Sequence, residues 1–190
     1  VDIADYCREV GIEFCCTPFG VAELTLLKPL LKRVKVASGM LNRKPFLEAV
    51  DDSCLPILLS TGMSTIDEIN EAVGMLMEQE LTLLQCTSSY PCRLEDVNLL
   101  AMGMLGQRFE ADVGLSDHTT SITVPIAATA LGATVIEKHF TLDRNAEGPD
   151  HKSSITPKEF KAMRLAIIEV EAAMGDGVKR VLDCEAAIRK

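Results

Sequence analysis

Apolar residues gather in six short runs, at residues 12–17, 34–38, 56–61, 81–87, 113–116 and 134–141. Runs of this length predict short buried strands. Their starts lie about 20–30 residues apart, the length of one strand–helix unit. Helix signals fill the gaps. Ser64-Thr65-Ile66-Asp67 opens one helix with a cap, and Ile66, Ile69, Val73 and Leu76 follow at helical spacing. Thr156-Pro157-Lys158-Glu159 is a capping box with proline at the first helical position. It predicts a helix with a core stripe of Phe160, Met163, Ile167, Val170 and Met174, ended by Gly175. No linker, low-complexity tract or shift of composition divides residues 1–190, so one domain is expected.

Alternating strands and helices imply an α/β fold with a parallel sheet, either open and doubly wound or closed as a barrel. A nucleotide-binding open sheet usually carries a glycine-rich loop after its first strand, and Cys16-Thr17-Pro18-Phe19-Gly20 is no such loop. Polar residues stand instead at the carboxyl end of nearly every run: Thr17, Ser38, Ser60-Thr61, Thr87-Ser88, Ser116-Asp117-His118, and Glu137 with His139. Barrel enzymes assemble their sites from many strand ends in this way, so the pattern favours a TIM-type (β/α)8 barrel. Six runs account for about six of its eight units.

Two of those strand ends carry the most chemistry. In Ser116-Asp117-His118 and Glu137-Lys138-His139, alternation puts Ser116 and His118 on one face and Glu137 and His139 on one face, with Lys138 opposite. On neighbouring parallel strands both imidazoles reach one divalent metal, leaving positions for substrate or water. The competing reading is two unrelated histidines satisfied by hydrogen bonds. Lys35, inside an apolar run, calls either for an anionic partner or for a snorkelling ammonium at a strand start. Glu137 is either a proton-moving carboxylate or one paired with a lysine.

The chain is 47% apolar and 25% charged, enough to bury a sizeable core. A net charge of −9 argues against nucleic-acid and anionic-membrane partners, so an anionic substrate needs a local cation or metal. No apolar stretch approaches the ~18–20 residues of a membrane span, and the first residues lack a signal-type pattern. The seven cysteines are odd in number and include no CxxC pair. Cys15, Cys16, Cys54 and Cys86 are therefore expected as small buried hydrophobes in a reducing cytoplasm. The chain begins with Val1 inside a predicted helix, which suggests a fragment or processed piece.

Longer blocks carry a family resemblance. Gln85-Cys86-Thr87-Ser88-Ser89-Tyr90-Pro91, Glu95-Asp96-Val97-Asn98-Leu99, Gly114-Leu115-Ser116-Asp117-His118-Thr119, and Glu137-Lys138-His139-Phe140-Thr141-Leu142-Asp143 with Gly148-Pro149-Asp150-His151 resemble the sialic acid synthase family. Cys16-Thr17-Pro18-Phe19, Lys35-Val36-Ala37-Ser38-Gly39 and Leu59-Ser60-Thr61-Gly62-Met63-Ser64 fit it in the same order. The resemblance implies a (β/α)8 catalytic barrel, of which this chain would supply family strands three to eight. It also implies a separate antifreeze-like domain, outside these residues, and a homodimer.

The implied reaction condenses phosphoenolpyruvate with N-acetylmannosamine, or a related N-acyl hexosamine, to a nine-carbon 2-keto acid and phosphate. Its metal would be held by His118 and His139; manganese is expected, with magnesium and cobalt as alternatives. Glu137, Ser116, His118 and His139 would be catalytic. Lys35, Ser38, Ser60, Ser88, Tyr90, Asn42 and His151 would bind substrate. Tyr90 either lines the sugar pocket or packs under its loop, and His151 either contacts ligand or is a solvated loop histidine. Met40 stands where the family has an acidic residue that binds the sugar, Arg43 where asparagine is usual, and Gly20 where aspartate is common. Sugar recognition is therefore expected to differ. The alternatives are a non-catalytic barrel remnant stable only through association, and another metal-dependent phosphoenolpyruvate-condensing aldolase.

Overall fold

In a computed structural model of the chain, which describes residues 2–76 and 78–189, five of the six apolar runs pair into one parallel sheet. The strands are β1 (Val34–Val36), β2 (Ile57–Ser60), β3 (Leu81–Cys86), β4 (Asp112–Asp117) and β5 (Val135–Lys138), paired in chain order. Helices α1 (Asp2–Val10), α2 (Val21–Leu27), α3 (Lys44–Asp51), α4 (Ile66–Met75), α5 (Ala101–Phe109), α6 (Thr123–Ala130) and α7 (Pro157–Met174) precede, separate and follow them. Each strand-to-strand crossover contains a helix, as parallel pairing requires.

Alternation sorts the strand residues onto two faces. Val34, Val36, Ile57, Leu59 and Leu83 point outward and pack with Phe46, Leu47 and Val50 of α3, Ile69, Ala72 and Val73 of α4, and Leu105 of α5. A second apolar cluster joins Leu115 of β4 to Met102 of α5 and Ala128 of α6. Lys35, Ser60, Cys86, Ser116 and Glu137 are left on the inner face. The register sets Cys86 opposite Ser116, and Ser116 opposite Glu137, so one row crosses three strands. β1 and β5 stand at opposite ends of the strand order, yet Lys35 reaches Glu137, so the sheet curls into part of a barrel. Gly114 permits β5 to come close: a Cβ there would lie 2.5 Å from the Val135 carbonyl oxygen.

The expected capping box forms at α7, and at α4 one forms on Thr65 and Glu68, a residue later than the cap expected over Ser64–Asp67. Thr65 accepts from the Glu68 backbone N–H while Glu68 accepts from that of Thr65, and Thr156 and Glu159 repeat the exchange at α7. Three expectations need correction. Residues 12–17 pair with no strand; they follow α1 as an irregular segment tied down by Glu13 to Arg33 at 2.7 Å. Of the expected α7 stripe only Met163 is buried, and Phe160 and Met174 are exposed, because the neighbour that covers α7, helix α6, touches only part of its circumference. All seven cysteines are free thiols, but Cys86 and Cys92 are the buried ones, whereas Cys15 and Cys54 are exposed on irregular segments outside the sheet. Among the described residues no helix is long and apolar enough to cross a membrane.

Candidate functional site

The inner face ends in a polar cluster at the carboxyl ends of the strands. His118 immediately follows β4 and His139 immediately follows β5, and their rings meet edge to face with centroids 5.3 Å apart. The Tyr90 ring lies 4.2 Å from that of His118 and 5.6 Å from that of His139. It is half exposed, so it screens one side of the pair from solvent. Nδ1 of His118 lies 2.8 Å from the Thr87 carbonyl oxygen. A carbonyl only accepts, so Nδ1 carries the proton and Nε2 of the neutral ring is left as a ligand atom. Nδ1 of His139 faces Asp150 Oδ2 at 3.9 Å.

Burial is the largest influence on His139, and together with the neighbouring His118 it holds the ring below the ordinary histidine pKa. Burial also opposes charge on His118, but its contacts with Cys86 and the Thr87 carbonyl outweigh that and leave its pKa raised. Burial likewise raises the Cys86 thiol, yet hydrogen bonds from His118, Ser38 and Ser116 prevail and lower it.

Lys35 provides the positive charge. Its side chain is 8% exposed and its Nζ lies 3.1 Å from Glu137 Oε2. On the adjoining strand, Ser60 Oγ is buried without a hydrogen-bond partner among the described residues. Such a hydroxyl costs stability unless something absent from the chain itself completes it. Ser38 accepts from the Gly62 backbone N–H at 3.0 Å and donates to Cys86 Sγ at 3.5 Å. Cys86 Sγ also lies 4.0 Å from Ser88 Oγ and 3.9 Å from His118 Nδ1. A Cβ on Gly62 would come within 2.5 Å of Ser88 Oγ, 2.8 Å of Ser38 Oγ and 3.0 Å of Cys86 Sγ. Gly62 thus lets three strand ends converge on one concavity.

Lys35, Ser38, Ser60, Ser88, Tyr90, Ser116, His118, Glu137 and His139 therefore share the inner face and its rim. Two expected site residues have other partners. Asn42 is exposed on the helical layer and donates to Glu68 Oε1 at 3.0 Å, because the turn Ser38–Met40 carries the chain away from the strand end. His151 Nδ1 lies 2.7 Å from Thr141 Oγ1, where it braces the loop after β5. Asp150, its neighbour, is the residue of that loop that approaches His139. Met40 packs against the outer core.

The residues beside the histidines form an unexpected network. Lys138 Nζ donates to Asp117 Oδ2 at 2.6 Å and to the Thr119 carbonyl at 2.5 Å. Both side chains are almost fully buried, on the face opposite the histidines. The signal was present: Asp117 and Lys138 each stand one place from a site histidine, so alternation puts them together.

Among the described residues no group of three or more His, Cys, Asp or Glu is arranged to hold a metal. The two imidazoles nevertheless suit one as donors. Metal-binding histidines commonly engage their second nitrogen with a carbonyl or carboxylate, as His118 does with Thr87. Water and substrate oxygens would complete the shell.

Fold and site together define a partial (β/α) barrel whose strand ends combine a buried cation, hydroxyls and paired imidazoles. Residues 1–179 match the NeuB family, and the chain belongs to it. It is 44% identical to N,N'-diacetyllegionaminic acid synthase of Campylobacter jejuni over 95% of this chain and 56% of that protein. It is 35% identical to human N-acetylneuraminate-9-phosphate synthase over 98% of this chain and 53% of that protein. The crystal structure of N-acetylneuraminic acid synthetase from Leptospira borgpetersenii, in complex with citrate, superposes with a TM-score of 0.93 at 34% identity, covering 98% of this chain and 66% of that one. The chain spans about half the length of the curated relatives it matches.

Proposed function

We propose that this chain carries the phosphoenolpyruvate- and metal-binding part of a sialic-acid-type synthase. The reaction joins phosphoenolpyruvate to an N-acyl hexosamine, giving a nine-carbon 2-keto acid and phosphate. Lys35 carries the reading: a buried ammonium on the inner face, beside the strand that presents the unpartnered hydroxyl of Ser60. An anion with both carboxylate and phosphate fits that combination, despite the acidic chain as a whole. Membership in the NeuB family and synthase relatives support the same class.

Lys35 neutralises the bound anion, and Ser38, Ser60, Ser88 and Ser116 donate hydrogen bonds to it. Held in place, C3 of the enol attacks the aldehyde carbon of the open-chain sugar; water then adds at C2 and phosphate leaves. Glu137 removes a proton from that water and returns it to an oxygen that needs one. Tyr90 covers the histidines and limits water at the reacting centre. His118 and His139 would hold a divalent metal, manganese before magnesium or cobalt, which would supply Lewis-acid polarisation of the aldehyde oxygen. A homodimer belongs to the same reading. The sugar is an N-acyl hexosamine, recognised without an acidic group at Met40.

Incubation with phosphoenolpyruvate, manganese and a panel of N-acyl hexosamines, free and phosphorylated, tests the reading. Matched formation of phosphate and a 2-keto acid supports it. Binding of phosphoenolpyruvate without either product across the panel would reduce the site to an anion receptor.

A further inference from the structure

We propose that the buried pair Asp117–Lys138 is a positioning strut that fixes the two site histidines relative to each other. The proposal rests on the metal reading above for its purpose, though not for its geometry. Asp117 and Lys138 are direct partners in the β4–β5 register, and each is followed by a site histidine. Their side chains are 1% and 2% exposed and meet at 2.6 Å.

The pair also holds the residue beyond His118. The Asp117 carboxylate accepts from the Thr119 backbone N–H at 2.9 Å and from the Thr119 hydroxyl at 3.1 Å. Lys138 donates to the Thr119 carbonyl at 2.5 Å. The Thr119 hydroxyl in turn accepts from the Ser121 backbone N–H at 3.2 Å, which carries the network towards α6. His118 is thus flanked on both sides by residues tied to one ammonium, and its own carbonyl accepts from Cys92 N–H at 2.9 Å. The same lysine directly precedes His139. One group consequently sets where both rings leave their strands, from the face they do not occupy.

Stability alone does not account for such a pair, since apolar residues of similar volume commonly serve a core as well or better. Conformational specificity does: a charge pair with four directed hydrogen-bond contacts tolerates one register and one backbone path, whereas packed methylenes tolerate several. Two imidazoles that must share one ion need that definition.

The test separates position from stability. Single changes strand a buried charge, so the decisive variant is the nearly isosteric, uncharged double change Asp117→Asn with Lys138→Met. Three readouts are compared with the parent: thermal midpoint, manganese affinity by calorimetry, and the metal-free imidazole nitrogen spectra. The proposal predicts a folded protein whose manganese affinity falls at least tenfold. It also predicts loss of the single Nδ1–H form that the Thr87 contact imposes on His118. Thr119→Val, which keeps the ion pair, should show the same changes in smaller measure, and it decides the question should the double variant not fold. A folded variant with parental affinity and parental imidazole spectra would overturn the strut. If the parent itself binds no manganese, the metal reading fails, and the imidazole spectra alone judge the strut.

Discussion

Lys35 Nζ and Glu137 Oε2 stand 3.1 Å apart although their strands lie at opposite ends of a five-strand ladder. Only a curled sheet brings them together, so the contact spans the mouth of the partial barrel. An ammonium as buried as Lys35 needs a counter-charge, and Glu137 supplies one. The Glu137 side chain is 41% exposed overall, but the Oε2 that faces Lys35 is buried and makes no directed hydrogen bond among the described residues, so only the ion pair holds it there. In the proposed reaction an incoming anion takes the place of Glu137 at Lys35 and frees the carboxylate for proton transfer.

That exchange has a measurable consequence. Glu137→Gln should tighten phosphoenolpyruvate binding by roughly 0.5–1 kcal/mol, a two- to fivefold fall in Kd, because the internal competitor has lost its charge. Turnover should drop by about 10²–10⁴-fold, as for loss of a proton-transfer group. Isothermal titration beside a phosphate-release assay reads both; weaker anion binding in the variant would show that Glu137 helps the anion rather than competing with it.

Gly62 gives a second handle. Its added Cβ would collide with the Ser88 and Ser38 hydroxyls and crowd the Cys86 sulfur. Gly62→Ala is expected to cost about 1–3 kcal/mol of stability through overpacking. It should also weaken phosphoenolpyruvate binding by about tenfold, as for a displaced hydrogen-bond donor. Denaturant unfolding and calorimetry check the two effects separately. Unaltered affinity would place the anion away from Ser38 and Ser88.

The α7 cap predicts a pH dependence. The Thr156 backbone N–H and hydroxyl, with Arg144, hold the Glu159 carboxyl below the ordinary glutamate range. A lowered folded-state pKa means that folding favours the carboxylate. Its stabilisation is complete above the unfolded glutamate value of about 4.3 and is lost as pH falls through the lower folded one. Glu159→Gln should therefore be less stable than the parent at neutral pH, and the gap should close in acid. Thermal midpoints across that range check it; a gap that stays constant would mean that the charge contributes nothing.

Much of this was legible in the residues. Alternation alone put Ser116 with His118 and Glu137 with His139 on one face, the capping box fixed the start of α7, and the cap signal placed that of α4 to within a residue. The run at residues 12–17 misled because apolar character does not supply a ladder partner, and none of the five strands pairs with it. The α7 stripe misled in a similar way, since periodicity names a face but not what covers it. Asn42 and His151 came from the family resemblance, His151 within a matching block and Asn42 just beyond one, and side-chain direction there depends on turns that no periodicity describes. Glu137 was open to pairing with a lysine and Lys35 to an anionic partner, but that each finds the other depends on how strongly the sheet curls.

Titration of phosphoenolpyruvate into the parent chain and into Lys35→Met, by calorimetry with manganese present, tests the central claim most directly. The account predicts saturable binding by the parent and a loss of roughly 2–5 kcal/mol in the variant, as when one partner of a desolvated charge pair is removed. Thermal unfolding of both proteins confirms that the variant is folded. Equal affinity in parent and folded variant would contradict the claim that the strand-end site is built around Lys35 to receive this anion.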